Sequence, residues 1–241
     1  MMQKGRRGQL QARMLALGAA SAFALVHGGE PSGEAILRNV QSRMAEVRDY
    51  TVHLDVVADI ERLNVPEMHV TMYFKQPDKV HLDAEGFAML PREGLALNVE
   101  KLLSRYFVEH VERDTVAGGS LYRLTLAARS ERTAMRSMQL EIQPDRWTIE
   151  RVSTGGPGDR TVNVTFRYAQ VEGHWLPEQM TARFSVAPAD TSGGEGVEGP
   201  APFPPRQVPR NGTVTVHYSS YHINTGLGDE IFTKDPSRPP E

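Results

Sequence analysis

The feature that most constrains the fold of this chain is a change of hydrophobic period near residue 50. Before it, "SGEAILRNVQSRMAEVRD" (Ser32–Asp49) has apolar residues at helical spacing, which predicts an amphipathic helix with Ser32 as its N-cap. After it, apolar and polar residues alternate in Thr51–Ile60, Met68–Lys75 and Val80–Glu85. Strict alternation is typical of strands with one buried face. The chain is therefore predicted to begin with a helix that lies against a sheet.

Alternation continues almost to the C-terminus and predicts seven more strands. They lie near Tyr106–Val116, Leu121–Ala128, Arg136–Gln143, Trp147–Thr154, Thr161–Gln170, Trp175–Val186 and Thr213–Ile223. The strand at Trp147 is ambiguous, because Ile149 and Val152 would fall on opposite faces. About ten strands in near-sequential hairpins predict a large antiparallel sheet in a mainly β (α+β) chain. Its apolar face must be covered, either by curling of the sheet or by helices.

Three segments stand apart from the strand pattern. "PREGLALNVEKLLSRY" (Pro91–Tyr106) predicts a short second helix, which could fold over the mouth of the sheet as a lid. Residues 187–212 are rich in proline and glycine and are predicted to form a flexible loop. Residues 29–232 are expected to form a single domain, followed by a frayed tail at residues 233–241.

The first 28 residues have the composition of an export signal. Lys4, Arg6, Arg7 and Arg13 precede the apolar run Met14–Val26. That run is shorter than the roughly 20 apolar residues that a membrane span needs, so a secretory signal peptide is predicted. An uncleaved N-terminal anchor is the alternative. We therefore expect an exported, periplasmic protein.

Composition excludes several functions. Without the four leader cations the chain has 23 Lys+Arg against 30 Asp+Glu, a net charge of −7. An acidic chain with no basic cluster is not expected to bind nucleic acid. The chain has no cysteine, which excludes disulfides, thiol catalysis and cysteine-ligated metals.

Polar residues on the predicted strands form no recognisable catalytic or metal-binding motif. His53, His69 and His81 share one face of three successive strands, but none is expected to lie opposite another histidine. Four carboxylates share the polar face of these strands: Asp55, Asp59, Asp83 and Glu85. Two of them could act as a catalytic acid pair, but a solvated acidic face is the favoured interpretation. The sequence also lacks a G-x-S-x-G nucleophile motif. We predict no enzymatic activity, no cofactor and no metal site.

Charged residues also surround Pro77 in "YFKQPDKVHLDAEGF". Proline and aspartate at this point are typical of a tight turn between two strands. Lys75, Asp78 and Lys79 are therefore predicted to lie on the solvent side of a hairpin, without a chemical role.

The apolar face of the predicted sheet carries large, flexible side chains, including several methionines. Methionine-rich surfaces adapt to irregular apolar partners, which favours a cavity for an acyl chain. The alternative is that the same residues only pack against one another under the two helices. The predicted cavity residues are Leu54, Val56, Met68, Val70, Met72, Phe74, Leu82, Leu124, Leu126, Leu140, Ile142, Val164, Phe166, Met180, Phe184 and Val216. The predicted lid residues are Leu95, Val99, Leu102 and Leu103.

The order of these elements resembles the LolA-like family of periplasmic lipoprotein carriers and lipoprotein-sorting proteins. The resemblance rests on "MYFKQPDKVHLDAEG" after a helix and strand, on "EGHWLPEQMTARF", and on "VTVHYSSYHINTGLGDEIF" near the C-terminus. It spans roughly Ser32 to Phe232 without residues 187–212. It implies a half-open antiparallel β-barrel, with helices over its mouth, that holds lipid or lipoprotein acyl chains.

Two functions remain open from the sequence. The first is a monomeric, non-enzymatic binding or transport protein that shields acyl chains in the outer-membrane lipoprotein-sorting manner. The alternative is an envelope protein-interaction or sensing module of the same fold, in which the loop at residues 187–212 or a sheet edge meets a protein partner.

Overall fold

The computed structural model describes residues 30–84, 98–116, 119–131, 133, 135–156, 160–185 and 211–233. From Pro31 onward these residues belong to one compact unit. Their helices are α1 (Gly33–Met44) and α2 (Val99–Arg105). Their strands are β1 (Asp49–Ile60), β2 (Leu63–Asn64), β3 (Met68–Lys75), β4 (Lys79–Ala84), β5 (Tyr106–Val116), β6 (Gly119–Ala128), β7 (Ser137–Gln143), β8 (Thr148–Gly156), β9 (Arg160–Val171), β10 (His174–Ser185) and β11 (Asn211–Ile223). A 3₁₀ turn at Asp229–Phe232 follows β11.

All eleven described strands belong to one antiparallel sheet. Ten of them follow the order β4-β3-β1-β11-β10-β9-β8-β7-β6-β5, and the short β2 pairs with β1. The first long strand therefore pairs with the last, in the interior of the sheet. Among the described strands, β4 and β5 are the outermost and do not pair with each other. The predicted half-open antiparallel barrel with an N-terminal helix and a short second helix is confirmed.

The boundaries of several elements differ from the prediction. β11 begins at Asn211, so the last two residues assigned to the loop lie in a strand, and residues 186–210 fall outside the described residues. The second helix begins at Val99 and ends at Arg105, because Asn98 is extended and its side chain caps the first turn, while Tyr106 is already extended. Residues 85–97, which include the predicted start of this helix, lie outside the described residues. The two-residue strand β2 was not predicted. None of the described helices is long and apolar enough to cross a membrane.

The helix α1 begins as predicted and ends earlier. Ser32 Oγ accepts a hydrogen bond from the Ala35 N–H at 3.2 Å and caps the first turn. The prediction that this helix continues to Asp49 is wrong, because it ends at Met44. Val47 instead packs with Leu176 of β10 and Ile223 of β11. A turn at residues 45–48 is needed to bring this side chain there.

Gly33 lets α1 approach the edge strand β5 closely. A Cβ atom at this position would lie 2.4 Å from Val108 Cγ1, well inside van der Waals contact. Any larger residue would push the first turn of α1 away from the sheet.

Within the described strands, four β-bulges interrupt the strict alternation of the sheet. One extra residue is inserted in β5 at Glu109, in β8 at Glu150, in β10 at Glu178, and in β11 near Ser220. Each extra residue reverses which side chains face inward beyond it. In β8 the bulge explains the ambiguous strand, because Ile149 and Val152 then pack into the same core.

The core is divided into two main clusters on the inner face. We name the first the helix-covered cluster, because α1 and α2 pack there against β5–β8. Its buried members are Ile36, Leu37, Val40, Val99, Leu102, Tyr106, Tyr122, Leu124, Leu126, Leu140, Ile142 and Ile149. We name the second the strand cluster, because its buried members all lie on β1, β3, β10 and β11: Val52, Leu54, Val56, Val70, Met72, Met180 and Val216.

The segment after β11 returns across the end of the sheet, and we name residues 224–232 the C-terminal clasp. The buried Asp49 carboxylate accepts hydrogen bonds from the Gly226 N–H at 3.1 and 3.2 Å. It also accepts one from Thr225 Oγ1 at 3.3 Å. Asn224 Oδ1 accepts from the Arg48 N–H at 2.7 Å. The clasp therefore fixes the connection between α1 and β1.

The charges around Pro77 hold the same clasp. Lys75 Nζ lies 2.7 Å from both Leu227 O and Asp229 Oδ1, and Lys79 Nζ lies 2.9 Å from Asp229 Oδ2. Asp78 forms an ion pair with Lys101 of α2. The prediction of a purely solvated corner was incomplete, because these residues connect the β3–β4 hairpin to the C-terminal clasp and to α2.

Candidate ligand-binding face

The residues predicted to line an acyl cavity all lie on described strands but divide between the two clusters. Ten belong to or pack against the strand cluster: Leu54, Val56, Met68, Val70, Met72, Leu82, Val164, Phe166, Met180 and Val216. Four belong to the helix-covered cluster: Leu124, Leu126, Leu140 and Ile142. Phe74 stacks on Tyr50 at 4.9 Å between ring centroids, and Phe184 covers Gly212.

Three of the four predicted lid residues are described, and all three lie in the helix-covered cluster. Val99 and Leu102 are buried there, and Leu103 packs against it. Leu95 lies outside the described residues. The described part of α2 therefore sits over β5–β8, the half of the sheet that α1 also covers.

The strand cluster forms a continuous apolar row across five strands. Met68 of β3 pairs with Val56 of β1, and Val56 pairs with Val216 of β11. Met180 of β10 then pairs with both Val216 and Phe166 of β9. Because cross-strand partners on one face lie about 5 Å apart, the row is long enough to follow an extended alkyl chain.

The margin of this cluster is apolar and only half-buried. The described helices contribute no side chain to it. The half-buried apolar residues that pack against it include Met68, Val80, Leu82, Ala84, Val164, Phe166 and Val214. The described residues thus leave apolar surface partly accessible on this half of the sheet and not only within a sealed core.

Four tyrosines lie at one end of the strand cluster. Tyr50, Tyr218 and Tyr221 pack against it, with the Tyr50 and Tyr221 centroids 5.6 Å apart and the Tyr218 and Tyr221 rings stacked at 6.4 Å. Tyr168 of β9 neighbours Phe166 at 6.2 Å. Tyr218 and Tyr221 can both face inward because the bulge near Ser220 lies between them.

The apolar surroundings keep these phenols protonated. Burial raises the pKa of Tyr218 to about 12. Burial also raises the pKa of Tyr50, of Tyr168 and of Tyr221; Glu150 adds to the effect at Tyr168, and neighbouring tyrosines add to it at all three. At neutral pH each hydroxyl is therefore a neutral group that can donate a hydrogen bond.

The described surface also carries two open depressions that are lined mainly by polar residues. One, of about 450 Å³, lies at the ends of β1, β9, β10 and β11, where Asp59, Asn163 and Arg183 line it together with Phe184, one of the predicted cavity residues. The other, of about 360 Å³, lies beside the C-terminal clasp, with Asp49 and Lys75 among its lining residues.

The histidines on the first strands do not form a metal site in the described part of the chain. No group of three or more potential ligands occurs there. His69 lies opposite Asp55, with 2.6 Å between Nδ1 and Oδ1, while His53 pairs with Thr71 and His81 with Tyr73. The hydrogen bond to Asp55 raises the pKa of His69 above its usual value.

This architecture, a single open antiparallel sheet curled around an apolar face, defines a class of half-barrel proteins. Solved structures share it. A LolA superfamily protein from Nitrosomonas europaea is similar with a TM-score of 0.53 and 10% identity, covering 85% of this chain and 98% of the other. A DUF1329 family protein from Desulfovibrio piger is similar with a TM-score of 0.51 and 15% identity, covering 83% and 96%.

A third similar structure is an outer membrane lipoprotein-sorting protein domain from Vibrio parahaemolyticus. Its TM-score is 0.51 at 12% identity, and the match covers 82% of this chain and 95% of that domain. No protein-family model and no curated protein sequence matches the chain. The resemblance inferred from the sequence is therefore confirmed as a likeness of fold to LolA superfamily proteins.

Proposed function

We propose that this chain is an exported, non-enzymatic protein that shields acyl chains of lipids or lipoproteins on the inner face of its half-barrel. The observation that carries the proposal is the strand cluster, whose apolar margin is half-buried and receives no side chain from the described helices. Burying one methylene group contributes about 0.8 kcal/mol, so a chain laid along this row could bind with useful affinity.

Two further observations support this function. The fold is that of a protein named for lipoprotein sorting and of a LolA superfamily protein. Methionines 68, 72 and 180 all belong to the strand cluster or pack against it, and their flexible side chains suit a partner without a fixed shape. The helix-covered cluster serves in this proposal as the rigid half of the molecule.

Native mass spectrometry of the protein purified from its own host tests the proposal directly. We expect co-purified lipid or acylated peptide, and uptake of a fluorescent fatty acid by the delipidated protein. A protein that carries no lipid and takes up no fluorescent fatty acid would overturn the proposal and favour the protein-interaction alternative.

A matched pair of variants locates the binding face. Leu82 is half-buried on the inner face of β4, whereas Val57 is 46% exposed on the opposite face of β1. Leu82→Glu places a charge against the alkyl chain and should weaken uptake at least about tenfold, while Val57→Glu should not change it. Equal uptake by both folded variants would mean that acyl chains do not bind on the inner face.

A further inference from the structure

The four tyrosines differ in how their hydroxyl groups are satisfied. Tyr168 Oη donates to the Ile149 carbonyl oxygen and Tyr221 Oη donates to the Pro177 carbonyl oxygen, both at 2.8 Å. Tyr218 Oη has only the Met180 sulfur, a weak acceptor, at 4.0 Å. Tyr50 Oη has no hydrogen-bond partner among the described residues.

The rings of Tyr50 and Tyr218, whose hydroxyls have no oxygen or nitrogen acceptor among the described residues, are held in place by their neighbours. Tyr50 is stacked on Phe74 and meets Tyr221 edge to face. Tyr218 is stacked on Tyr221, whose own hydroxyl is fixed to Pro177. The bulges in β10 and β11 lie next to the Pro177 carbonyl oxygen and between Tyr218 and Tyr221, and they bring these groups together. The Tyr50 hydroxyl and the weakly bonded Tyr218 hydroxyl are therefore pre-oriented donors within an apolar surface, and both side chains are half-buried and not sealed.

We propose that Tyr50 and Tyr218 form a polar subsite that hydrogen-bonds the ester carbonyl of an acyl-chain ligand lying on the strand cluster. The inference rests on the proposed acyl-binding function and adds the chemical class of the ligand to it. Neither hydroxyl has an oxygen or nitrogen acceptor within the described part of the protein, and a ligand lying on this apolar surface would exclude water from both. An ester carbonyl would supply the missing acceptor without bringing a charge.

The surroundings favour a neutral ester over a carboxylate or a phosphate. Arg146, the cation that influences the pKa of the neighbouring Tyr168, is already engaged with Glu150 at 3.1 Å and lies over the Trp175 ring. At the subsite itself, the raised pKa of Tyr50 comes from burial and from Tyr218, and that of Tyr218 comes from burial, with no contribution from a cation. An anionic headgroup would therefore enter an apolar region without a free counter-charge, which costs binding free energy.

Three pyrene probes that differ only in their polar end test this subsite. They are methyl 10-(1-pyrenyl)decanoate, 10-(1-pyrenyl)decanoic acid and 1-decylpyrene, titrated into the full chain by fluorescence. Since one hydrogen bond is worth about 1 kcal/mol, we expect the ester to bind about fivefold more tightly per free hydroxyl than the alkane. The acid should bind less tightly than the ester at neutral pH.

Tyrosine-to-phenylalanine variants assign the effect to particular hydroxyls. Tyr50→Phe and Tyr218→Phe together should abolish the preference for ester over alkane and leave alkane binding unchanged. Tyr168→Phe is the matched control, because it deletes a hydroxyl that is already bonded within the protein. The preference should survive in this control.

The outcomes separate the two proposals. Equal binding of the ester and the alkane to the unmodified chain, or an ester preference that persists in the double variant, overturns the subsite and leaves acyl binding intact. Failure of all three probes to bind overturns acyl binding, and the subsite with it.

Discussion

Removing the Asp49 carboxylate should release the C-terminal clasp. This group is 4% exposed and accepts hydrogen bonds from the Gly226 N–H and from Thr225 Oγ1. Hydrogen bonds to a charged group contribute about 1.5–3 kcal/mol each. In Asp49→Ala, Gly226 and Thr225 are exposed enough to bond to water instead, which recovers part of the loss. We expect a decrease of about 2–3 kcal/mol in the free energy of unfolding.

Urea denaturation followed by circular dichroism measures this change as a shift of the midpoint at constant m-value. Asp83→Ala is the matched control, since Asp83 is exposed on β4 and has no partner among the described residues. Its effect should stay within about 0.5 kcal/mol.

A double-mutant cycle with Thr225→Val identifies the cause of the loss. If the Thr225 hydroxyl stabilises the protein through Asp49, Thr225→Val should lower the free energy of unfolding by about 1 kcal/mol in the natural chain. In the Asp49→Ala variant the same change should have almost no effect. The reasoning is refuted if Asp49→Ala is as mild as the control, or if the two losses are additive.

Two other predictions concern the charged corner and the helix contact. Hydrogen bonds from Lys75 and Lys79 lower the pKa of Asp229 from 3.8 to about 2, so the stability that its charge contributes is present above pH 3.8 and is lost as the pH falls toward 2. The melting-temperature difference between the natural chain and Asp229→Asn should therefore vanish over this interval, and a difference independent of pH would contradict the assignment. Gly33→Ala should lower the free energy of unfolding by about 1–3 kcal/mol, because the added methyl group clashes with Val108. The second change Val108→Ala should relieve the clash and restore the melting temperature. If the double variant melts no higher than Gly33→Ala alone, the contact is not the cause.

The sequence predicts most of the fold because its alternation is strong and its strands are sequential neighbours. The seven later strands were each placed within about two residues of their observed bounds, apart from ends outside the described residues. Turn residues such as Pro77, Pro144 and Gly173 mark several of the hairpins, and strands that follow one another along the chain usually pair. The β1–β11 pair is not sequential and depends on the curling of the whole sheet.

The sequence predicts less of the site because bulges and long-range bonds leave no periodic signal. Alternation from Val214 through Tyr218 would place Tyr221 outward, yet one inserted residue turns it inward. From the sequence, Asp49 was assigned to the end of a helix. Its hydrogen-bond partners Thr225 and Gly226 lie 176 and 177 residues later in the chain, so no local pattern indicates its role. The division of the apolar face into two clusters also depends on where the helices lie, which periodicity does not determine.

Among the described strands, β4 and β5 are outermost and do not pair with each other, and this has a mechanical consequence. In a closed barrel the circumference is fixed by a continuous ring of hydrogen bonds, and its interior can widen only if some of them break. In the described sheet the ring is interrupted between these two strands, so the curvature can change by small twists distributed over every strand pair. The inner face could then admit guests of different width while every backbone hydrogen bond of the sheet is kept.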